Sequence, residues 1–285
     1  MKTRTVSLSS GGFRQIESGE VGVTALFLHG VTRSCREWAG VTPWFAGRTR
    51  FVALDQRGHG ESARANGYRV VDYVGDVLEW LKADQQGPYL LIGHSMGAMV
   101  ALGVAAACSR DQLLGIVLED PPFHTMGDRL AGSQLASQFQ GYEKVLRERK
   151  DQLTWRDLAE IPILDPATGQ AIPFGKLRDS VSLRWSAELL RRVDPEVLAT
   201  INQSQWLEGF DWQDLASQVM VPTLLMQADP SAGGMLSEED ARWMYREMKD
   251  CHWIRFAGVG HSIHWWDISG YLRSLIGFLE SLRSD

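Results

Sequence analysis

Gly93-His94-Ser95-Met96-Gly97 lies between two apolar runs, Pro88–Ile92 before it and Ala98–Leu102 after it. A serine with glycines two places to either side, where strand-like sequence becomes helix-like, is the pattern of a nucleophile elbow. So sharp a turn leaves no room for side chains at the flanking positions and pushes the central one out of the sheet. The Ser95 hydroxyl then stands at a strand's carboxyl end, above the first turn of a helix. Its chemistry would be covalent: the oxygen attacks an electrophilic carbon while a neighbouring base takes its proton.

The elements that must hold this turn are readable around it. Val23–Leu28 and Phe51–Leu54 are apolar runs ending at His29-Gly30 and at Asp55-Gln56-Arg57-Gly58-His59-Gly60. Val70, Tyr73, Val74, Val77, Leu78 and Leu81 recur at helical spacing, which predicts an amphipathic helix. The run after the elbow is apolar on nearly every face through Ala107, so it is expected to lie buried on the sheet. Leu113–Leu118 is the next strand. Alternating strands and helices, with strands apolar on both faces, predict an α/β fold whose mostly parallel sheet is covered on both sides.

After Pro121-Pro122 the rhythm stops. From Phe123 to Leu215 the chain is polar and helix-prone, with no convincing strand. The α/β rhythm resumes at Val221–Met226, followed by a helix from about Ser237, a strand near His252–Phe256 and a final helix from about Ile268. The expected organisation is a core of residues 1–122 and 216–285, interrupted by a helical cap over 123–215.

Composition narrows the function classes. With 285 residues and 44% of them hydrophobic, the chain can build one large domain carrying an insertion. A net charge of −6 leaves no basic footprint for nucleic acid or an anionic membrane. Cys35, Cys108 and Cys251 are too few and too scattered for a disulfide framework or a zinc cluster, and Cys35 is expected to be a spectator. The basic N-terminal residues precede no apolar stretch, and no run approaches the ~18 residues of a membrane span. The expectation from composition is a soluble cytoplasmic protein.

With the elbow, His29-Gly30, the segment Asp55–Ser62 and Gly260-His261 in this order, the chain resembles the α/β-hydrolase superfamily over both core segments. The resemblance implies an eight-stranded, mostly parallel sheet with a cap over the active site, and it implies partners for Ser95. The base is a histidine in the loop after the last strand, matched by His261 in Gly258-Val259-Gly260-His261, with His264 as the rival. The acid stays open. Many members carry it after the seventh strand, where this chain reads Gln227-Ala228-Asp229-Pro230-Ser231 and brings Ser231, not Asp229, to the acid position. Others carry it after the sixth strand, here Leu118-Glu119-Asp120-Pro121-Pro122. Asp120 follows Ser95 by 25 residues, one more than that group's spacing. Glu119 has the spacing but stands one place early on the strand. Asp120 is preferred, with Asp229 and Glu119 as alternatives.

The backbone N–H groups of Val31 and Met96 match the fold's oxyanion donors. Asp55, Arg57, His29, His59 and His94 fall in turns that brace the site, which implies structural or oxyanion-loop roles. Arg33 and Arg36, beside the oxyanion loop, are candidates to hold a substrate carboxylate. Phe123, Phe139, Phe174 and the cap tryptophans, Trp185 among them, either line an apolar pocket or form the cap's own core. The reading that follows is a serine hydrolase of a carboxylic ester, lactone or amide of a small molecule, working without metal or cofactor. The Leu-Glu-Asp-Pro-Pro segment looks like a branch containing amidohydrolases, deformylases and lactonases. Carbon–carbon bond hydrolysis or perhydrolysis on the same triad, and a non-catalytic small-molecule receptor, are the alternatives.

Overall fold

In the computed structural model all residues are described except 20–21, 46–48, 166–167 and 283–285. The strands are β1 (Lys2–Leu8), β2 (Gly11–Ser18), β3 (Thr24–Leu28), β4 (Arg50–Leu54), β5 (Tyr89–His94), β6 (Leu113–Glu119), β7 (Pro162–Leu164), β8 (Ala171–Pro173), β9 (Thr223–Ala228) and β10 (Cys251–Phe256). Eight of them form one sheet in the order β1-β2-β4-β3-β5-β6-β9-β10. β2 runs antiparallel to both neighbours, and every other pairing is parallel.

Alternation along the central strands divides their side chains between two cores. On β3, Leu26 and Leu28 pack on one face with Met99 and Leu102 of the helix Met96–Ala107. Ala25 and Phe27 pack on the other with Trp38, Phe45, Tyr271 and Phe278. Phe27 meets the Phe45 ring edge-on at 5.0 Å, a favoured aromatic geometry. The helix Met96–Ala107 is buried at every position through Ala105, as its all-round apolarity requires.

Between β6 and β9 the chain builds the cap. Polar N-caps divide it into short helices: Ser133 begins Gln134–Arg149, Asp179 begins Ser180–Leu190, and Asp194 with Pro195 begins Pro195–Asn202. The expectation of a cap without strands needs correction, because β7 and β8 form a small antiparallel ribbon there. Three residues per strand are too few for a periodic signal, and the ribbon owes its place to Ile163, which is buried against the cap core. The helix Trp212–Gln218 crosses the boundary expected at 215 and packs on Met96–Ala107, so its contacts are with the core.

Strand order places the site. From β3 the sheet grows one way to β4 and the other way to β5. The loops leaving the carboxyl ends of β3 and β5 therefore diverge, and a crevice opens where the order reverses. Those loops carry Gly30–Arg33 and Ser95.

Candidate active site

Ser95 has φ 55° and ψ −117°, the strained conformation of an elbow, and follows β5 directly. The glycines are needed because the backbone is so close: a Cβ on Gly97 would fall on the Leu28 carbonyl, and one on Gly93 would fall on the Gly97 carbonyl. Backbone strain of this kind costs about 1–3 kcal/mol and persists only where surrounding packing enforces it.

His261 lies in the loop after β10, and its Nδ1 is 2.6 Å from Asp120 Oδ2. Asp120 follows β6 with φ 46° and is fully buried. Its carboxylate also accepts the N–H groups of Ala228 (3.1 Å), Met235 (2.7 Å) and Leu236 (3.1 Å). One carboxylate therefore fixes both the imidazole and the loop after β9. Burial holds the His261 ring below the usual imidazole range; Asp120 pulls the other way and the neighbouring His94 cation adds to the lowering. A neutral imidazole at pH 7 is the form that can take a proton. Ser95 and His261 line one cavity. No hydrogen bond joins Ser95 Oγ to His261 among the described residues; such bonds often close only when substrate is seated.

The alternative acids do other things. Glu119 turns to His264, accepting its N–H at 3.0 Å and meeting its Nδ1 at 2.8 Å. His264 is buried against Trp38 at 4.6 Å and is not among the cavity-lining residues. Asp229 lies on the turn after β9, where it accepts bonds from the Ser231 N–H (2.9 Å), the Ser231 hydroxyl (2.6 Å) and the Gly258 N–H (2.8 Å). These bonds hold its carboxyl below the usual range. Asp229 thus ties two loops together instead of facing the imidazole.

Val31 and Met96 follow β3 and the elbow serine. Met96 opens its helix, where an N–H has no intrahelical acceptor, and among the described residues the Val31 N–H has no acceptor either. The Val31 loop is braced on both sides. Thr32 donates its N–H to His59 Nε2 at 3.2 Å, Arg33 closes the turn onto the Gly30 carbonyl at 3.1 Å, and Gly30 donates to Glu37 Oε2 at 3.0 Å. His29 accepts the Gln56 N–H at 3.0 Å. Burial keeps both rings below the usual imidazole range, with His59 at about 3, so they brace as neutral groups. Asp55 accepts the N–H groups of Cys35 (2.6 Å) and Glu61 (2.9 Å), and Arg57 grips both Asp76 oxygens at 2.5 Å. Burial, then Asp55, pushes the Cys35 thiol up, away from thiolate chemistry.

Arg33 and Trp185 line the cavity, as do Phe139 and Phe174, whereas Arg36 is exposed and lies over the Trp185 ring at 5.6 Å. Phe123 departs from its expected role as a substrate contact. It is 1% exposed, stacked on Trp212 at 4.4 Å, and absent from the cavity wall because its ring fills the joint between cap and core.

Sequence reasoning missed Glu37. This carboxylate is fully buried behind the site, 3.1 Å from His94 Nδ1 in ion-pair contact. Burial alone would raise Glu37, but His94, then His264 and Arg33, hold it well below the carboxylate range. Burial likewise opposes the His94 cation, yet Glu37 and Glu119 outweigh it and push that imidazole up to about 9. His94 Nε2 meets the His261 carbonyl at 3.2 Å, so the pair also steadies the His261 loop. Nothing in local spacing announces a partner 57 residues away.

The raised histidine contributes stability that is complete below its unfolded value near 6.5 and is lost as pH rises through about 9. The lowered Glu37 contributes above its unfolded value near 4.5 and loses that only as pH falls. Glu37→Gln should therefore cost about 3 kcal/mol near neutral pH, with the deficit shrinking above pH 9, where wild-type His94 sheds its proton. Urea unfolding of both proteins at pH 6.5 and 9.5 checks this; an equal deficit at both values would remove the ion pair from the explanation.

Solved structures share the fold. The N-formylmaleamic acid deformylase of Pseudomonas putida S16 superposes with a TM-score of 0.75 at 17% identity, over 96% of this chain and 100% of that one. In sequence, protein phosphatase methylesterase 1 of Mus musculus is 35% identical over 150 residues, which are 50% of this chain and 38% of that protein. The 2-(acetamidomethylene)succinate hydrolase of Mesorhizobium japonicum is 31% identical over 137 residues, 45% of this chain and 49% of that protein. The chain thus spans less than half the length of these curated relatives. The sequence profile of the alpha/beta hydrolase family matches residues 25–267. The chain belongs to the alpha/beta hydrolase family.

Proposed function

We propose that this protein is a serine hydrolase that cleaves a carboxylic ester, lactone or amide of a small molecule through an acyl-enzyme on Ser95. The observation that carries the reading is the 2.6 Å contact between His261 Nδ1 and buried Asp120 beside the strained serine turn. His261 Nε2 takes the Ser95 proton as Oγ attacks the carbonyl carbon, and Asp120 holds Nδ1–H so that the free nitrogen faces the serine. The tetrahedral oxyanion is received by the Val31 and Met96 N–H groups, each worth roughly 3 kcal/mol of transition-state stabilisation. The imidazolium protonates the leaving group as the carbon–heteroatom bond breaks. Water, deprotonated by the same histidine, then releases the acid and restores Ser95. The relatives support this range, being named a methylesterase and a succinate hydrolase, and an enol-lactonase shares the fold.

The test is a neutral fluorophosphonate probe, with the modified peptide mapped, beside a panel of esters, lactones and N-acyl compounds. Labelling at Ser95 with turnover in the panel is the expected result. Labelling elsewhere defeats the proposal. Labelling at Ser95 with a silent panel, while a vinylogous diketone is consumed, would move the reaction to a carbon–carbon bond.

A further inference from the structure

The cavity over Ser95 has a volume of about 560 Å³, room for a small organic molecule. Its wall is selective in charge. The chain carries 35 acidic residues against 29 Lys and Arg, yet among the described residues no Asp or Glu lines this cavity, while Arg33, Arg178, His94 and His261 do. An acidic protein that clears carboxylates from one cavity and places two guanidinium groups there has built a site for negative charge.

The two arginines come from different parts of the fold. Arg33 belongs to the core loop after β3, and its guanidinium lies over the Trp265 ring at 5.3 Å, which limits its freedom. Its nearest carboxylate, Glu37, is 3.8 Å from Nε, beyond hydrogen-bond range. Glu37 is engaged closer by, with Gly30 N–H at 3.0 Å and His94 at 3.1 Å. Arg178 belongs to the cap, just before the helix Ser180–Leu190, and its side chain has no ion pair or hydrogen bond among the described residues. Between them the same cavity wall carries Tyr142, a buried cap residue whose hydroxyl accepts a bond from Gln138 Nε2 at 2.8 Å. Burial pushes that hydroxyl up, and both Arg33 and Arg178 pull it back. Both cations thus line one cavity, Arg33 from the core and Arg178 from the cap.

We infer that the substrate carries a carboxylate in addition to the acyl bond that is cleaved, held in this cavity by Arg33 of the core and Arg178 of the cap. A planar guanidinium fork matches the two oxygens of a carboxylate, and two forks from opposed elements set its direction as well as its charge. This deepens the serine-hydrolase reading and rests on it for the reaction, though not for the binding.

The experiment compares 4-nitrophenyl hydrogen adipate with 4-nitrophenyl hexanoate, esters of similar length that differ in a terminal carboxylate. The expected result is a kcat/KM preference for the anionic ester that weakens with added salt. In Arg33→Met and in Arg178→Met the ratio of the two kcat/KM values should drop about tenfold or more, through KM. Preference for the neutral ester in the wild type, or a ratio that neither variant moves, overturns the inference. A separate arm keeps it distinct from the hydrolase reading. Adipate is titrated calorimetrically into Ser95→Ala, with inorganic phosphate at matched ionic strength as the control for a general anion site. If neither ester is hydrolysed and the fluorophosphonate leaves Ser95 unmodified, the hydrolase reading fails and this titration decides. Adipate binding that Arg178→Met abolishes upholds the carboxylate site; no binding, or equal binding of phosphate, overturns it.

Discussion

Ser95→Ala should lower kcat about 10⁶-fold and abolish fluorophosphonate labelling, with the fold intact. The size of the effect follows from the role. In the proposed mechanism no acyl-enzyme forms without Oγ, and only the proposed Val31 and Met96 donors and the shape of the cavity remain to assist attack by water, a residual worth about 10³–10⁴ over solution. The intact fold follows from the turn. Alanine keeps the Cβ that the strained backbone already tolerates at φ 55°, and the serine hydroxyl makes no protein hydrogen bond among the described residues that could be lost. Steady-state rates on the best panel substrate and a thermal melt check both halves. Activity above about one part in a thousand with an unchanged melt would assign the attack to another group.

Asp120→Asn should cost about 10⁴-fold in kcat, and Asp229→Asn only a few-fold. The Asp120 oxygens face four donors: Ala228, Met235 and Leu236 N–H groups and His261 Nδ1. Asparagine offers one oxygen to that ring of donors and turns its own NH₂ against the rest. Either His261 adopts the other tautomer, blocking the nitrogen that accepts the serine proton in the proposed mechanism, or backbone N–H groups are left unpaired at about 1–3 kcal/mol each. A loss of stability is therefore expected alongside the loss of rate. The second-order rate of fluorophosphonate inactivation, measured where both proteins are folded, isolates the chemical part. Asp229 bonds its own turn through Oδ1 and the Gly258 N–H through Oδ2, so an asparagine oxygen keeps the turn and only the Gly258 bond, which does not involve His261, is lost. A larger penalty for Asp229→Asn than for Asp120→Asn would reverse the assignment.

The contrast between these carboxylates shows where local sequence stops. Glu119 and Asp120 are adjacent, each at a plausible distance from Ser95, and spacing alone does not separate them. Adjacent residues at a strand end point in different directions, and the positive φ of Asp120 turns its side chain toward the loops after β9 and β10. Glu119 faces the other core and takes His264. Asp229 is a candidate because it follows the right strand, but Ser231 in its own short turn and the Gly258 N–H of the loop after β10 take up the carboxylate. Phe123 shows the same limit for apolar residues. Its chemistry suits a cavity wall and a core equally, and the stacking partner Trp212 is 89 residues away in sequence.

What the sequence determined by itself was local and periodic. The elbow is written in five residues because steric exclusion at a tight turn acts between near neighbours. The parallel sheet is written in unbroken apolar strands, and the covering helices in their spacing, because burial selects residue type along each element. Only the tertiary structure decided which acid meets His261, that Glu37 stands behind His94, and that Arg33 and Arg178 share a cavity wall. Those pairings depend on distances between segments far apart in the chain, and such distances are set by how the sheet orders its strands and how the cap closes over them.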